Sequence, residues 1–182
     1  SRQRSREQEL REQAMRDVLT GIYNKAGEKL IDRMVKEKGQ GLFLMLDLND
    51  FKSINDTMGH AAGDAILTEM GRVLKGACRE NDIVARIGGD EFVMFLPGAF
   101  DWQTGKRKIG EIQDSLRTVM ITTWGIRGIR ASIGAALCPE DGMDYETLFK
   151  AADEAMYLDK EQSKNRNESR EAGEEKQDRT IS

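Results

Sequence analysis

Histidine is almost missing from this 182-residue chain, with His60 the only one. That excludes a His-rich zinc site and any mechanism needing two imidazoles. Cysteine is nearly as rare. Cys78 and Cys138 form no C-x-x-C pair, and two isolated thiols read as reduced core residues of a cytoplasmic protein. No stretch approaches the ~18 consecutive apolar residues of a membrane span, and no signal-peptide pattern is visible. No membrane contact by this domain is expected, whatever a longer parent carries; the opening "SRQRSREQEL" reads as the continuation of something longer. An excess of positive charge is lacking too. Charged residues make up 33% and hydrophobic ones 38%, with net charge −4, which gives no electrostatic reason to expect a nucleic-acid partner.

What is present is enough chain for one domain with a real core. Residues 1–16 are dominated by Arg, Glu and Gln, with Leu10, Ala14 and Met15 the only apolar side chains. Good helix formers with a sparse apolar stripe predict the end of a signalling helix, such as an arriving coiled coil. Residues 161–182 hold only Ala172 and Ile181 as apolar residues. That is too little surface to order a segment, so a disordered tail is expected over 166–182. The folded domain is expected over 17–165, without internal repeats.

Within it the hydrophobic period alternates. Leu30, Ile31, Met34 and Val35 predict a helix near 26–37, and "LFLMLD" after "GQG" predicts a buried strand. Ile66, Leu67, Met70, Val73, Leu74 and Ala77 have helical spacing, as do Ile109, Ile112, Leu116 and Val119. Ile129, Ala131, Ile133, Ala135 and Leu137 alternate at period two, predicting a strand with one packed face. A helix through Leu148, Ala152, Ala155 and Met156 closes the domain. Between the two middle helices lies "IVARIGGDEFVMFL" at 83–96, two strand-like runs joined by Gly88 and Gly89. Gly-Gly between such runs predicts a hairpin, because tight turns use backbone angles that glycine adopts easily. The order is βαββαβ with an extra helix at each end. The expected fold class is α+β, a central, mostly antiparallel sheet of ferredoxin-like, palm-like topology with flanking helices.

That topology makes the first strand a neighbour of the hairpin, so Asp47 can face Asp90 and Glu91. Carboxylates converging from separate elements repel one another unless a cation lies between them. Mg²⁺ suits such a place, since it takes one or two carboxylates and fills its octahedron with water and phosphate oxygens. Solvated acids beside a turn are the competing reading, and both fit the pattern. Two other motifs fail. "DLNDFKSINDTM" has Lys52 where an EF-hand loop needs glycine and Met58 where it needs glutamate. "TGKR" at 104–107 lacks the first glycine and the final Ser/Thr of a P-loop.

"DVLTGIYN" at 17–24, "DLNDFKSINDTMGHAAGD" at 47–64, "RIGGDEF" at 86–92 and "ADEAMYLDK" at 152–160 together resemble the GGDEF domain of diguanylate cyclases. The four blocks stand in the family's order and spacing over about 17–165. The resemblance implies condensation of two GTP into cyclic di-GMP and two pyrophosphates, on two Mg²⁺ ions per site (with Mn²⁺ a substitute), in a homodimer. It implies that Asp47, the Leu48 carbonyl, Asp90 and Glu91 hold metal, and that Asp90 helps deprotonate the attacking hydroxyl. Glu91 stands beside the metals, and Lys52 offsets phosphate charge. Asn55 and Asp64 match a guanine-reading pair, with Asp64 also able to cap a helix starting at Ala65. His60 matches a position near the nucleotide, and Lys160 and Lys164 a basic pair near the phosphates.

Departures from the family pattern are Lys25 and Lys164 in place of arginines, Asn49 in place of an aspartate, and Asp50 and Ile87 in place of aromatics. None removes a metal ligand. Arg79-Glu80-Asn81-Asp82 resembles the family's product-inhibition site, where arginine and aspartate grip cyclic di-GMP. The alternative function is a catalytically silent GGDEF module that only receives cyclic di-GMP; a different palm nucleotidyltransferase would explain the carboxylates but not the R-x-x-D or the guanine pair.

Overall fold

A computed structural model describes residues 1–178. In chain order the helices are α1 (Arg2–Ala14), α2 (Gly27–Lys38), α3 (Phe51–Met58), α4 (His60–Gly76), α5 (Trp102–Arg117) and α6 (Tyr145–Asp178). The strands are β1 (Gly41–Leu48), β2 (Ile83–Arg86), β3 (Glu91–Pro97), β4 (Met120–Ile121), β5 (Ile126–Arg127) and β6 (Ala131–Cys138). The main sheet has the order β2-β3-β1-β6, antiparallel at every pairing. This is the α+β, split-βαβ arrangement that the order of elements predicts.

Each central strand divides its side chains between two cores, because successive residues point to opposite faces. Leu42, Leu44 and Leu46 of β1, with Phe92, Met94 and Leu96 of β3, pack against Ile66, Leu67 and Met70 of α4 and Ile112 and Leu116 of α5. Phe43, Met45, Val93 and Phe95 pack the other way, against Ile31 and Val35 of α2 and Leu148, Ala152 and Met156 of α6. The sheet is thus covered on both faces. The continuous run "GLFLML" is what such a strand requires: Leu42, Phe43, Leu44 and Leu46 are all at 0% exposure.

Strand β6 differs from its expected form. Ile133 and Leu137 fill one core, but Gly134, Ala136 and Cys138 are buried as well. Its period-two pattern separates large from small residues, not buried from exposed ones. The small face admits α6 closely: a Cβ on Gly134 would collide with the Ala152 carbonyl and lie 2.9 Å from the Met156 Cβ.

Three further differences have local causes. Helix α4 starts at His60, several residues before the apolar period begins, and a separate helix α3 precedes it. A two-stranded ribbon, β4 with β5, interrupts the path from α5 to β6 around a 3-10 turn at Thr122–Trp124. Two-residue strands are too short to show a period. Helix α6 runs on to Asp178 through the segment expected to be a tail. Its Glu, Lys, Gln and Arg content favours helix without any burial; residues 179–182 lie outside the described residues. The expected helix at the start of the chain is present as α1, which buries no residue. No helix among the described residues is long and apolar enough to cross a membrane.

Candidate active site

The hairpin of "IGGDEF" is a loop over residues 87–90 between β2 and β3. The Ile87 N–H donates to the Glu91 carbonyl at 2.9 Å. Neither Gly88 nor Gly89 has positive φ, so the expected turn angles are not why glycine stands here. At Gly88 the reason is space. A Cβ on Gly88 would lie 3.2 Å from the Glu91 carboxylate, while a Cβ on Gly89 would meet nothing within 4 Å. The space beside Gly89, the residue before Asp90, is open.

Asp47 is the Cα partner of Glu91 across β1 and β3. The Leu48 N–H donates to the Asp90 carbonyl at 3.2 Å, tying the end of β1 to the loop. Burial, followed by the charge of Asp47 and a hydrogen bond with it, raises the Asp90 carboxyl above its ordinary pKa. Glu91 is raised by burial and then by Asp47, Asp90 and Asp153. The counter-charge is Lys160 of α6, whose Nζ donates to Asp47 Oδ2 at 3.1 Å. Lys164 lies one turn further along α6 and is exposed.

Among the described residues no three His, Cys, Asp or Glu side chains are gathered closely enough to hold a metal by themselves. A donor set of two or three carboxylates on hard oxygen, repelling one another and open on the Gly89 side, nevertheless fits Mg²⁺. That ion keeps several waters and phosphate oxygens in its shell rather than demanding a full protein cage.

Helices α3 and α4 pack around Asn55. The Asn55 Oδ1 atom occupies the place a Cβ on Gly63 would take, with Phe51 3.3 Å from the same point. Gly63 lets the amide lie against α4. Lys52, His60 and Asp64 are exposed on the same pair of helices. Asp64 does not cap a helix, the competing reading for it: α4 begins at His60, its N-cap is Gly59, and Asp64 stands inside the helix. Asp50, at the N-cap of α3, has φ 57 and is the only non-glycine with positive φ among the described residues. Asp tolerates this left-handed conformation better than most residues. An aromatic in its place would add strain at the start of α3.

Arg79 and Asp82 form a turn rather than a side-chain ion pair. The Arg79 N–H donates to Asp82 Oδ2 at 2.7 Å, and the Asp82 N–H donates to the Arg79 carbonyl at 3.1 Å. The Arg79 guanidinium is exposed beside a cavity of about 410 Å³ with Lys38, Gln40 and Asn81 on its wall. A second cavity of about 330 Å³ adds Arg107 and Lys108 of α5, residues to which the sequence pattern assigned no role. Cys78 nearby is partly buried, and burial pushes its thiol up to about 11; Cys138 is buried and also free.

Asp17 and Arg86 also escaped the sequence reading as functional residues. The Arg86 guanidinium donates to the Gly89 carbonyl at 3.0 and 2.8 Å, and to Asp17 Oδ1 at 3.2 Å. The loop is thereby anchored to the turn that follows α1. Both residues lie within recognisable sequence blocks, which was the available signal.

The family model described as "Diguanylate cyclase, GGDEF domain" matches residues 14–166. The chain is 33% identical over 165 residues to diguanylate cyclase DgcS of Shewanella oneidensis, covering 87% of this chain and 53% of DgcS. It is 34% identical to diguanylate cyclase TpbB of Pseudomonas aeruginosa, covering 85% of this chain and 37% of TpbB. It thus spans about half or less of these relatives. The solved GGDEF domain of TpbB matches with a TM-score of 0.74 at 34% identity, over 81% of this chain and 89% of that one. The coiled coil and GGDEF domain of DgcB from Caulobacter crescentus, in complex with c-di-GMP, matches with a TM-score of 0.76 at 28% identity, over 88% of this chain and 87% of that one.

Proposed function

The chain belongs to the GGDEF domain family of diguanylate cyclases, and we propose that it condenses two GTP molecules into cyclic di-GMP with release of two pyrophosphates. Each 3′-hydroxyl attacks the α-phosphate of the other nucleotide. The observation that carries this reading is the meeting of Asp47, Asp90 and Glu91 at one end of the sheet, with Asp90 and Glu91 raised in pKa and Lys160 beside them.

Asp47, the Leu48 carbonyl, Asp90 and Glu91 would hold Mg²⁺, two ions per site. When bound, the metal offsets charge growing on the phosphates and acidifies the attacking hydroxyl. Asp90 also helps to deprotonate the attacking hydroxyl. Lys52, Lys160 and Lys164 bind phosphate oxygens, and the open space at Gly89 lets the phosphates approach the backbone. Asn55 and Asp64 read guanine: a carboxylate accepts from the N1 and N2 hydrogens that adenine lacks. His60 borders the nucleotide. The Arg79–Asp82 turn, with Arg107 across the adjoining cavity, receives cyclic di-GMP as a feedback inhibitor.

One experiment tests the reading. The protein is incubated with GTP and Mg²⁺ at high concentration, and the product is identified by mass. Cyclic di-GMP is expected from the parent and none from Asp90→Ala, with both proteins folded. Arg79→Ala should keep the initial rate while losing at least tenfold in sensitivity to added product. Tight cyclic di-GMP binding without turnover would make the domain a receptor and sink the cyclase reading.

A further inference from the structure

Two adjoining cavities lie between α3, the end of α5 and the β4–β5 ribbon, sharing Asn49, Gly128, Ile129 and Arg130. The larger, of about 520 Å³, is walled by Arg117, Arg127 and Arg130. The smaller, of about 370 Å³, is walled by Phe51, Ile54, Met58, Ile66 and Ile126. Leu48, whose carbonyl is a proposed metal ligand, lines the smaller cavity, so the pair adjoins the proposed active site; Asp47, Lys52, Asn55, Asp64 and Asp90 line neither cavity, and neither do Arg79 and Asp82 of the proposed product site.

The charge here is unbalanced. In a chain of net charge −4, three arginines gather on one cavity. Arg117 pairs with Asp114 at 3.2 Å, whereas Arg127 and Arg130 enter no ion pair among the described residues. Their backbone is held firmly: the Gly128 N–H donates to the Val119 carbonyl at 2.7 Å and the Ile129 N–H to the Leu116 carbonyl at 2.8 Å. Gly128 has φ 78, and a Cβ there would lie 2.9 Å from the Arg117 carbonyl, so the close approach of ribbon to helix needs glycine. Two exposed guanidiniums on a held backbone, opening onto an apolar compartment, have the character of a ligand site.

We propose that the joined cavities bind a small organic anion, its apolar body among Phe51, Ile54 and Ile126 and its charged head on Arg127 and Arg130. Guanidinium forks accept a carboxylate or phosphate head with paired hydrogen bonds. The ligand would touch Asn49 and Phe51, residues that flank the ends of β1 and α3. Burial of the body is what distinguishes it from a simple inorganic anion.

The test titrates the whole chain with octanoate, using acetate as the head alone and octanol as the body alone. Calorimetry gives affinity, and ¹⁵N amide shifts give the place. Octanoate should bind at least tenfold more tightly than either probe and move the amides of Phe51, Gly125, Ile126 and Gly128. The double variant Arg127→Gln/Arg130→Gln should lose at least tenfold in octanoate affinity with an unchanged melting temperature. The single Arg130→Gln, at an exposed position, should lose at least threefold. Octanoate no tighter than octanol, binding indifferent to both variants, or displacement by GTP would each overturn the site. Concentration-dependent self-association that moves the same amides without octanoate would overturn it too, in favour of a second copy. The readout is binding, so the result does not depend on cyclase activity.

Discussion

Asp17 and Arg86 stand 69 positions apart in the chain, yet their ion pair holds the loop that carries Asp90. Burial pushes the Asp17 carboxyl up, but hydrogen bonds from the Thr20 hydroxyl and N–H, together with the Arg86 charge, outweigh it and lower the pKa below 3.8. A lowered folded-state pKa means the stabilisation is complete at neutral pH, above the unfolded value, and is lost as pH falls through 3.8 toward the folded value. Asp17→Asn should therefore cost about 1–2 kcal/mol at pH 7, and the gap between variant and parent should close on acidification. Urea midpoints measured from pH 7 downward check this; a gap independent of pH would assign the cost to packing instead. At this scale the sequence was readable only where chemistry is local. The acids of "GGDEF" could be placed together from topology, whereas the pairing of Asp17 with Arg86 depends on a long-range approach that no spacing encodes. The cap that Asp64 could also have made is absent because α4 begins at His60, several residues before its apolar period starts at Ile66.

Strand β6 and helix α6 show what periodicity reveals and what it hides. The alternation of Ile133, Ala135 and Leu137 locates the strand, but its other face, Gly134 and Ala136, is small because α6 comes close, not because it meets water. Propensity and packing then oppose each other at Gly134. Valine is a far better strand former, yet its Cβ would overlap the Ala152 carbonyl, a backbone atom that cannot swing aside. Packing should win, with Gly134→Val destabilising the fold by about 1–3 kcal/mol. Denaturant unfolding gives the sign directly, and a stabilised variant would mean that α6 shifts freely on the sheet. The long elements were legible for the same reason that this clash matters: both faces of the sheet are packed, so their residues are strongly patterned. The β4–β5 ribbon and α3 are too short for a period, and α6 beyond the core is helical by composition alone.

Over the whole molecule, the proposed reaction needs two GTPs facing each other, while the proposed site on one chain takes one of them. Two chains must meet antiparallel about the nucleotides, a two-fold arrangement. We propose helix α1 as the means, since none of its residues is buried on this chain and Leu10 is 58% exposed. Alone, a 13-residue helix is marginal in water, so turnover per chain should rise with enzyme concentration. Fusing a stable parallel coiled coil before Ser1 should raise it further through effective concentration. The fusion should also be sensitive to phase. Asn24 Nδ2 donates to the Ala14 carbonyl at 2.9 Å, and the Arg16 guanidinium lies 4.0 Å from the Tyr23 ring centre. The Tyr23 carbonyl in turn accepts from the Arg86 N–H at 2.8 Å, so the end of α1 is tied through the edge of β2 to the loop. Each residue inserted between coiled coil and α1 turns the domain by about 100°. A series with zero to seven insertions should therefore give activity that falls and then returns as the insertion completes a heptad. Activity independent of insertion length, in fusions shown to be dimeric, would mean that α1 is a flexible tether and that the contacts at Asn24 and Arg16 transmit no orientation.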